Sequence, residues 1–157
     1  AVGVAEPFLP PTPGSEHIVH YVDTRDASSY AGKRLFIVGK QNSGFELASG
    51  LAQWANGIIL ASPRAAQLSV NTHSLAGIRA RYVQPWEDAN LGGGVCILNA
   101  SIERYERVPS GIRVYTRRSD TGQPFVAEVD EVIAATGFVT PLLDLPALGV
   151  RQRLPAV

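Results

Sequence analysis

The sequence predicts an α/β fold in a single domain: a parallel sheet grown from a βαβ unit, with an antiparallel three-stranded β-meander as its crossover. Three observations carry this. Leu35 to Val38 and Ile58 to Ala61 are short apolar runs of the kind buried on both faces of a parallel sheet. Between them Phe45, Leu47, Ala48, Leu51, Ala52 and Ala55 recur at helical spacing and give a helix one face to lay on that sheet. Further on, Ala100 to Val108, Ile112 to Arg118 and Pro124 to Val129 alternate, with Pro109-Ser110-Gly111 and Ser119 to Gln123 as the turns between them.

Taken in order, Ala1 to Gly14 carries Pro7, Pro10, Pro11 and Pro13 and no periodicity, which fits an extended segment or a disordered tail equally well. Ile18 to Val22 reads as a short edge strand, and Asp23 to Tyr30 as a polar loop. The strand from Leu35 ends at Gly39, and Asn42 or Ser43 can cap the helix that follows. Gly57 breaks that helix before the second strand. Thr72 to Arg81 reads as a short helix capped by Asn71 or Thr72. Pro85, Trp86 and Gly92-Gly93-Gly94 mark a loop, and Val95 to Leu98 a buried strand. After the meander, Glu131 to Ala135 is a further buried strand ending at Thr136-Gly137. Leu142 to Val150 reads as a short helix and turn.

Bulk properties narrow the chemistry. A chain of 157 residues, 45% hydrophobic and 18% charged, can bury a proper core. Its formal net charge of zero gives no reason to expect nucleic acid or an anionic membrane as partner. No apolar run is long enough to span a bilayer, and no secretory signal pattern is present. The single cysteine, Cys96, excludes an internal disulfide and fits a reducing cytoplasm; flanked by Val95 and Ile97, it is expected to be a buried, inert thiol. Methionine is absent, which is expected of a processed chain or a piece of something longer. His17, His20 and His73 lack metal-ligand spacing. Trp54 and Trp86 are expected to pack rather than stack on a ligand. The Arg117-Arg118 pair is expected on a solvated face, and Glu46 as a residue compensating the helix dipole.

The turn after the first strand is the candidate site. A strand-to-helix junction points free N–H groups and the positive end of a helix dipole at one spot, which suits phosphate. The dinucleotide fingerprint G-x-G-x-x-G appears here as Gly39-Lys40-Gln41-Asn42-Ser43-Gly44, with Gln41 at the middle glycine. That glycine normally lets the backbone approach the pyrophosphate, so Gln41 is expected to cost room. The unit is Rossmann-like.

Val38-Gly39, Asn42-Ser43-Gly44-Phe45-Glu46-Leu47-Ala48 and Ala135-Thr136-Gly137-Phe138, with Leu142, Leu145 and Leu148-Gly149-Val150 beyond, resemble the pyridine-nucleotide domain of flavin-containing monooxygenase-like and Baeyer–Villiger-like flavoproteins. These carry two dinucleotide-binding domains. Upstream, Pro13-Gly14, His20-Tyr21 and Tyr30 to Arg34 resemble the segment that leads into this domain, and Ala1-Val2-Gly3 the near-side hinge. The resemblance spans nearly the whole chain. It implies three parts: residues 1–31 as incoming segment and hinge, 32–138 as the NAD(P)H-binding domain, and 139–157 as outgoing segment toward the FAD domain. No second glycine motif is present to hold FAD, so the chain is expected to be an excised NAD(P)H domain.

The resemblance implies that Gly39, Lys40, Gln41, Asn42, Ser43 and Gly44 of the turn, with Thr136 and Gly137, meet the cofactor. Cofactor choice turns on the end of the second strand. A carboxylate about 20 residues past the first glycine would bind the ribose 2′-OH of NAD; the stretch here is Ala61-Ser62-Pro63-Arg64. Ser62 can donate to a 2′-phosphate and Arg64 can pair with it, so NADP(H) is expected. Lys40 and Arg79 or Arg81 are either further phosphate contacts or solvated surface charges. The implied role is positioning NADPH for hydride transfer to FAD in a monooxygenase. The alternatives are the same domain in a flavoprotein reductase, against which the lack of a C-x-x-C pair counts, and a non-catalytic nucleotide-binding module. The substrate site of the parent protein lies outside these residues.

Overall fold

A computed structural model describes residues 5–67, 77–79 and 94–139. The expected Thr72–Arg81 helix (apart from 77–79), the Pro85–Gly93 loop, the Leu142–Val150 helix and the Ala1-Val2-Gly3 hinge lie outside the described residues, as do Arg81, His73 and Trp86.

A seven-stranded sheet has the order β2-β8-β3-β4-β5-β6-β7: β2 Val19–His20, β3 Arg34–Val38, β4 Gly57–Ser62, β5 Val95–Val108, β6 Gly111–Arg118, β7 Pro124–Val129 and β8 Glu131–Ala134. β2, β8, β3, β4 and the first part of β5 run parallel. From Ala100 onward β5 pairs antiparallel with β6, and β6 with β7. The expected buried strand and the first meander strand are thus one continuous strand. Its pairing skips a residue between Ile102 and Arg104, so Glu103 is a bulge that bends β5 out of the parallel sheet.

That bend lets the meander fold back over one face. Alternate residues of the parallel strands sort accordingly, as a period of two requires. Phe36, Val38, Ala61, Val132 and Ala134 meet Tyr105, Ile112, Val114, Ala127 and Val129 of the meander. Leu35, Ile37, Ile58, Leu60 and Ile133 face the other way, onto Phe45, Ala48 and Leu51 of helix α1, Asn42–Leu51. A side chain such as Leu60, with no exposed area, contributes about 1.5–3 kcal/mol through burial.

The segment before β3 is more structured than its composition predicts. The expected strand at Ile18–Val22 shortens to β2. The expected loop after it winds into 3₁₀ turns at Tyr21–Asp23 and Ala27–Tyr30, because Tyr30 inserts into the helix-side core at 1% exposure. The proline-rich stretch docks on β5: Tyr105 N–H donates to Pro13 O at 2.8 Å, and Gly14, at φ +85°, lies so close that a Cβ would sit 2.2 Å from Tyr105 O. Finally β1, Glu6–Pro7, and β9, Phe138–Val139, form an antiparallel two-stranded ribbon, so incoming and outgoing chain run side by side. Among the described residues no helix is long and apolar enough to cross a membrane.

Candidate functional site

β3, β4 and β8 are parallel neighbours, so their carboxyl ends lie together, and the residues expected to form the site sit at or just past those ends. The turn after β3 is braced from both sides: Gly39 N–H donates to Ala61 O and Ala135 N–H to Val38 O, each at 2.8 Å. Gly39 has φ +112°, and a Cβ there would lie 2.4 Å from Ala135 O. Gly44 would place a Cβ 1.9 Å from Gly39 O. Both glycines are therefore demanded by space, and Gly39 by its dihedral as well. They press the start of α1 against the end of β3.

Gln41 meets a different requirement. It is the N-cap of α1 with φ −105° and ψ −170°, extended backbone that any residue adopts, and its side chain is exposed. The expected cap at Asn42 or Ser43 is not formed: no side chain caps α1. Asn42 instead bonds the backbone of Gly77 and Arg79 at 3.0 and 3.1 Å. Ser43 is half-buried in the first turn. The Gln41 side chain makes no cap hydrogen bond to the first turn of α1, whose N–H groups open the helix toward the turn.

Lys40 departs from the reading as a solvated charge. It is 1% exposed and its Nζ donates to Asn99 Oδ1, beside the end of β4 where Ser62 and Asn99 are register partners. Burial lowers its pKa below the usual lysine range. Ser62 Oγ donates to Arg64 O at 3.4 Å, closing the bend that ends β4. Arg64 is exposed, and among the described residues its guanidinium has no hydrogen bond or ion pair.

At the end of β8, Thr136 donates its hydroxyl to Phe8 O, and Gly137, at φ +82°, carries a carbonyl that accepts from Phe8 N–H at 3.0 Å. The same carbonyl accepts from His20 Nε2 at 2.9 Å, while His20 Nδ1 accepts from Val22 N–H at 3.3 Å. Those two bonds fix the tautomer with the proton on Nε2. His20 is 2% exposed and stands edge-on to Phe138, centroids 5.2 Å apart. Thr136 and Gly137 thus meet the ribbon and His20. Their sequence signal was legible; that of His20 was not, since a lone histidine shows no partner in sequence.

The other candidates separate cleanly. Cys96 is exposed rather than buried; it precedes the stretch of β5 that pairs with β6, and the thiol lines an open cavity of about 230 Å³ with Arg34, Gly57 and Glu128. Trp54 is 40% exposed rather than packed. Arg117 and Arg118 lie on the solvated face as expected, paired with Glu103 and Asp120. Glu46 is exposed on α1. No group of three or more metal-ligating side chains occurs among the described residues.

A family model described as pyridine nucleotide-disulphide oxidoreductase matches residues 1–152. The FAD-dependent oxidoreductase domain-containing protein 2 of Mus musculus is 33% identical over 81 residues, 51% of this chain but 12% of that protein. Thioredoxin reductase from Streptococcus pyogenes MGAS5005 superposes with a TM-score of 0.64 at 19% identity, over 85% of this chain and 42% of its own. Ornithine hydroxylase from Pseudomonas aeruginosa gives 0.69 at 14% identity, over 95% and 45%. The fold is shared with both, and the chain spans less than half the length of each of these relatives.

Proposed function

Because the chain belongs to the pyridine nucleotide-disulphide oxidoreductase family, we propose that its glycine turn holds NADP(H) and orients the nicotinamide toward FAD carried elsewhere in a longer flavoprotein of monooxygenase type. The observation that carries this reading is the pairing of two glycines that admit no side chain with an exposed arginine unanswered among the described residues, all at the carboxyl ends of adjacent parallel strands. That is where an open α/β sheet takes a nucleotide. The glycine turn and the uncapped first turn of α1 suit a pyrophosphate. Arg64 and the Ser62 hydroxyl suit a 2′-phosphate, and no carboxylate stands at the end of β4 to repel one. Bound NADPH supplies the hydride; the chain's own residues bind and orient it.

A flavoprotein reductase is the second reading, favoured by the likeness to thioredoxin reductase. Against it, this chain holds one cysteine and so no dithiol pair. A nucleotide-binding module without flavin is the third, and a parent protein that purifies yellow and consumes NADPH excludes it. A reducing cytoplasm is the compartment proposed for a chain with a single exposed thiol.

The test is calorimetric titration of wild type and Arg64→Ala with NADP⁺ and NAD⁺. A charge-assisted hydrogen bond is worth about 1.5–3 kcal/mol, so NADP⁺ binding falls roughly ten- to a hundredfold while NAD⁺ binding barely changes. Added salt narrows the gap, since Arg64 is exposed. Equal losses for both nucleotides would assign Arg64 to the shared adenine and remove the support for NADP.

A further inference from the structure

Asn42 stands where a helix cap belongs and caps nothing. Its Nδ2 donates to Gly77 O at 3.0 Å and its Oδ1 accepts from Arg79 N–H at 3.1 Å. One side-chain amide thus pairs with a backbone segment as a neighbouring strand would, using a donor and an acceptor together. Ile78, between the two bonded residues, is 1% exposed in the core beside α1, and its N–H donates to Gln67 O at 2.8 Å. The segment is therefore fixed from three directions. Arg79 emerges from it exposed, and among the described residues only its backbone is bonded.

We propose that Asn42 is a positioning residue that holds Arg79 at the mouth of the glycine turn, where the Arg79 guanidinium pairs with the pyrophosphate of the bound dinucleotide. This rests on reading the turn as the nucleotide site. It accounts for Gln41: with a side chain in place of the middle glycine, the phosphates sit farther from the turn backbone, and a cation from the opposite bank replaces that contact. It also separates two arginines by task. Arg64, past the end of β4, answers the 2′-phosphate; Arg79, bonded to the first residue of α1, answers the pyrophosphate common to NAD and NADP.

Wild type, Arg79→Ala, Asn42→Ala and the double variant are titrated with NAD⁺ and NADP⁺ at two salt concentrations, with melting curves for each. Arg79→Ala, an exposed change, weakens both nucleotides by about tenfold, the low end for a charge-assisted pair in water, and more salt shrinks the loss. Asn42→Ala weakens both by a similar or smaller factor and adds nothing in the Arg79→Ala background. Wild-type affinity in Arg79→Ala overturns the proposal. A loss confined to NADP⁺ overturns the division of tasks. Additive losses in the double variant overturn the positioning role, since Asn42 would then act by itself. A wild type that binds neither nucleotide overturns the nucleotide reading itself, and this inference with it.

Discussion

The two covers of the parallel sheet are built on opposite terms. On the helix side, backbone meets backbone: Gly44 abuts Gly39 O, and Gly39 abuts Ala135 O, with no room for a methyl group at either contact. On the outer face of the meander, long side chains meet one another. The Arg104 guanidinium lies 3.4 Å over the Tyr115 ring, and the Tyr115 hydroxyl donates to Glu106 Oε2 at 2.6 Å. Arg113 pairs with Glu128 at 3.0 Å, and Arg117 with Glu103 at 2.6 Å. Such exposed pairs are screened by water and salt and contribute little each. The carboxyl end of the sheet is fixed by contacts that cannot yield, and the face toward solvent by contacts that can be exchanged.

The sharpest way to break this contrast lies within α1, which holds two glycines. At Gly44 an added methyl strikes Gly39 O and approaches Leu60 Cδ1 to 3.3 Å; at Gly50 it meets nothing within 4 Å. Gly44→Ala therefore destabilises by about 2 kcal/mol or more, the clash exceeding the helix-propensity gain of about 1 kcal/mol. Gly50→Ala stabilises by about 0.5–1 kcal/mol. Urea midpoints measure both, and equal signs would show that the turn is not jammed.

A smaller effect tests whether the meander has any fixed polar anchor. Thr116, 1% exposed, donates its hydroxyl to Phe125 O at 2.8 Å and so ties β6 to β7. Thr116→Val keeps the shape and removes the bond, costing about 1 kcal/mol in denaturant unfolding. No change would place the whole meander among the exchangeable contacts.

The smallest effect is on the rim. Arg118 holds the Asp120 carboxyl down to about 2, chiefly by hydrogen bonding. The folded pKa lies below the unfolded one of about 4, so the stabilisation is fully present above about pH 4 and fades as pH falls through about 2. Asp120→Asn and wild type should differ slightly in urea midpoint near neutrality and converge at low pH. A gap that persists in acid would mean that the charge is not what Asp120 contributes.

The βαβ unit, the meander and the strand before Thr136 were legible because each follows from a local period or from turn chemistry. Gly39 and Gly44 were legible for the same reason. What sequence could not show was long-range. The bulge at Glu103 that fuses two expected strands leaves no local mark. Lys40 reads as a surface charge until Asn99, fifty-nine positions away, is placed beside it. Asn42 has the chemistry of a cap, and only the backbone at Gly77 and Arg79 diverts it. Cys96 sits among apolar neighbours in sequence but on the stretch of β5 before its pairing with β6 begins, where it is exposed.

The ribbon of β1 and β9 sets how the molecule carries load. Glu6 lies opposite Val139 and Pro7 opposite Phe138, so tension applied through the two strands pulls on adjacent points of one edge. The ribbon is then loaded as a zipper. The bonds that close its base, Phe8 N–H to Gly137 O and the Thr136 hydroxyl to Phe8 O, take strain only after the outer pair has parted. The parallel ladders of β3, β4 and β8 lie outside the line of force. Pulled from both strands, the ribbon opens first, as a fuse, before the carboxyl ends of β3 and β4 are loaded.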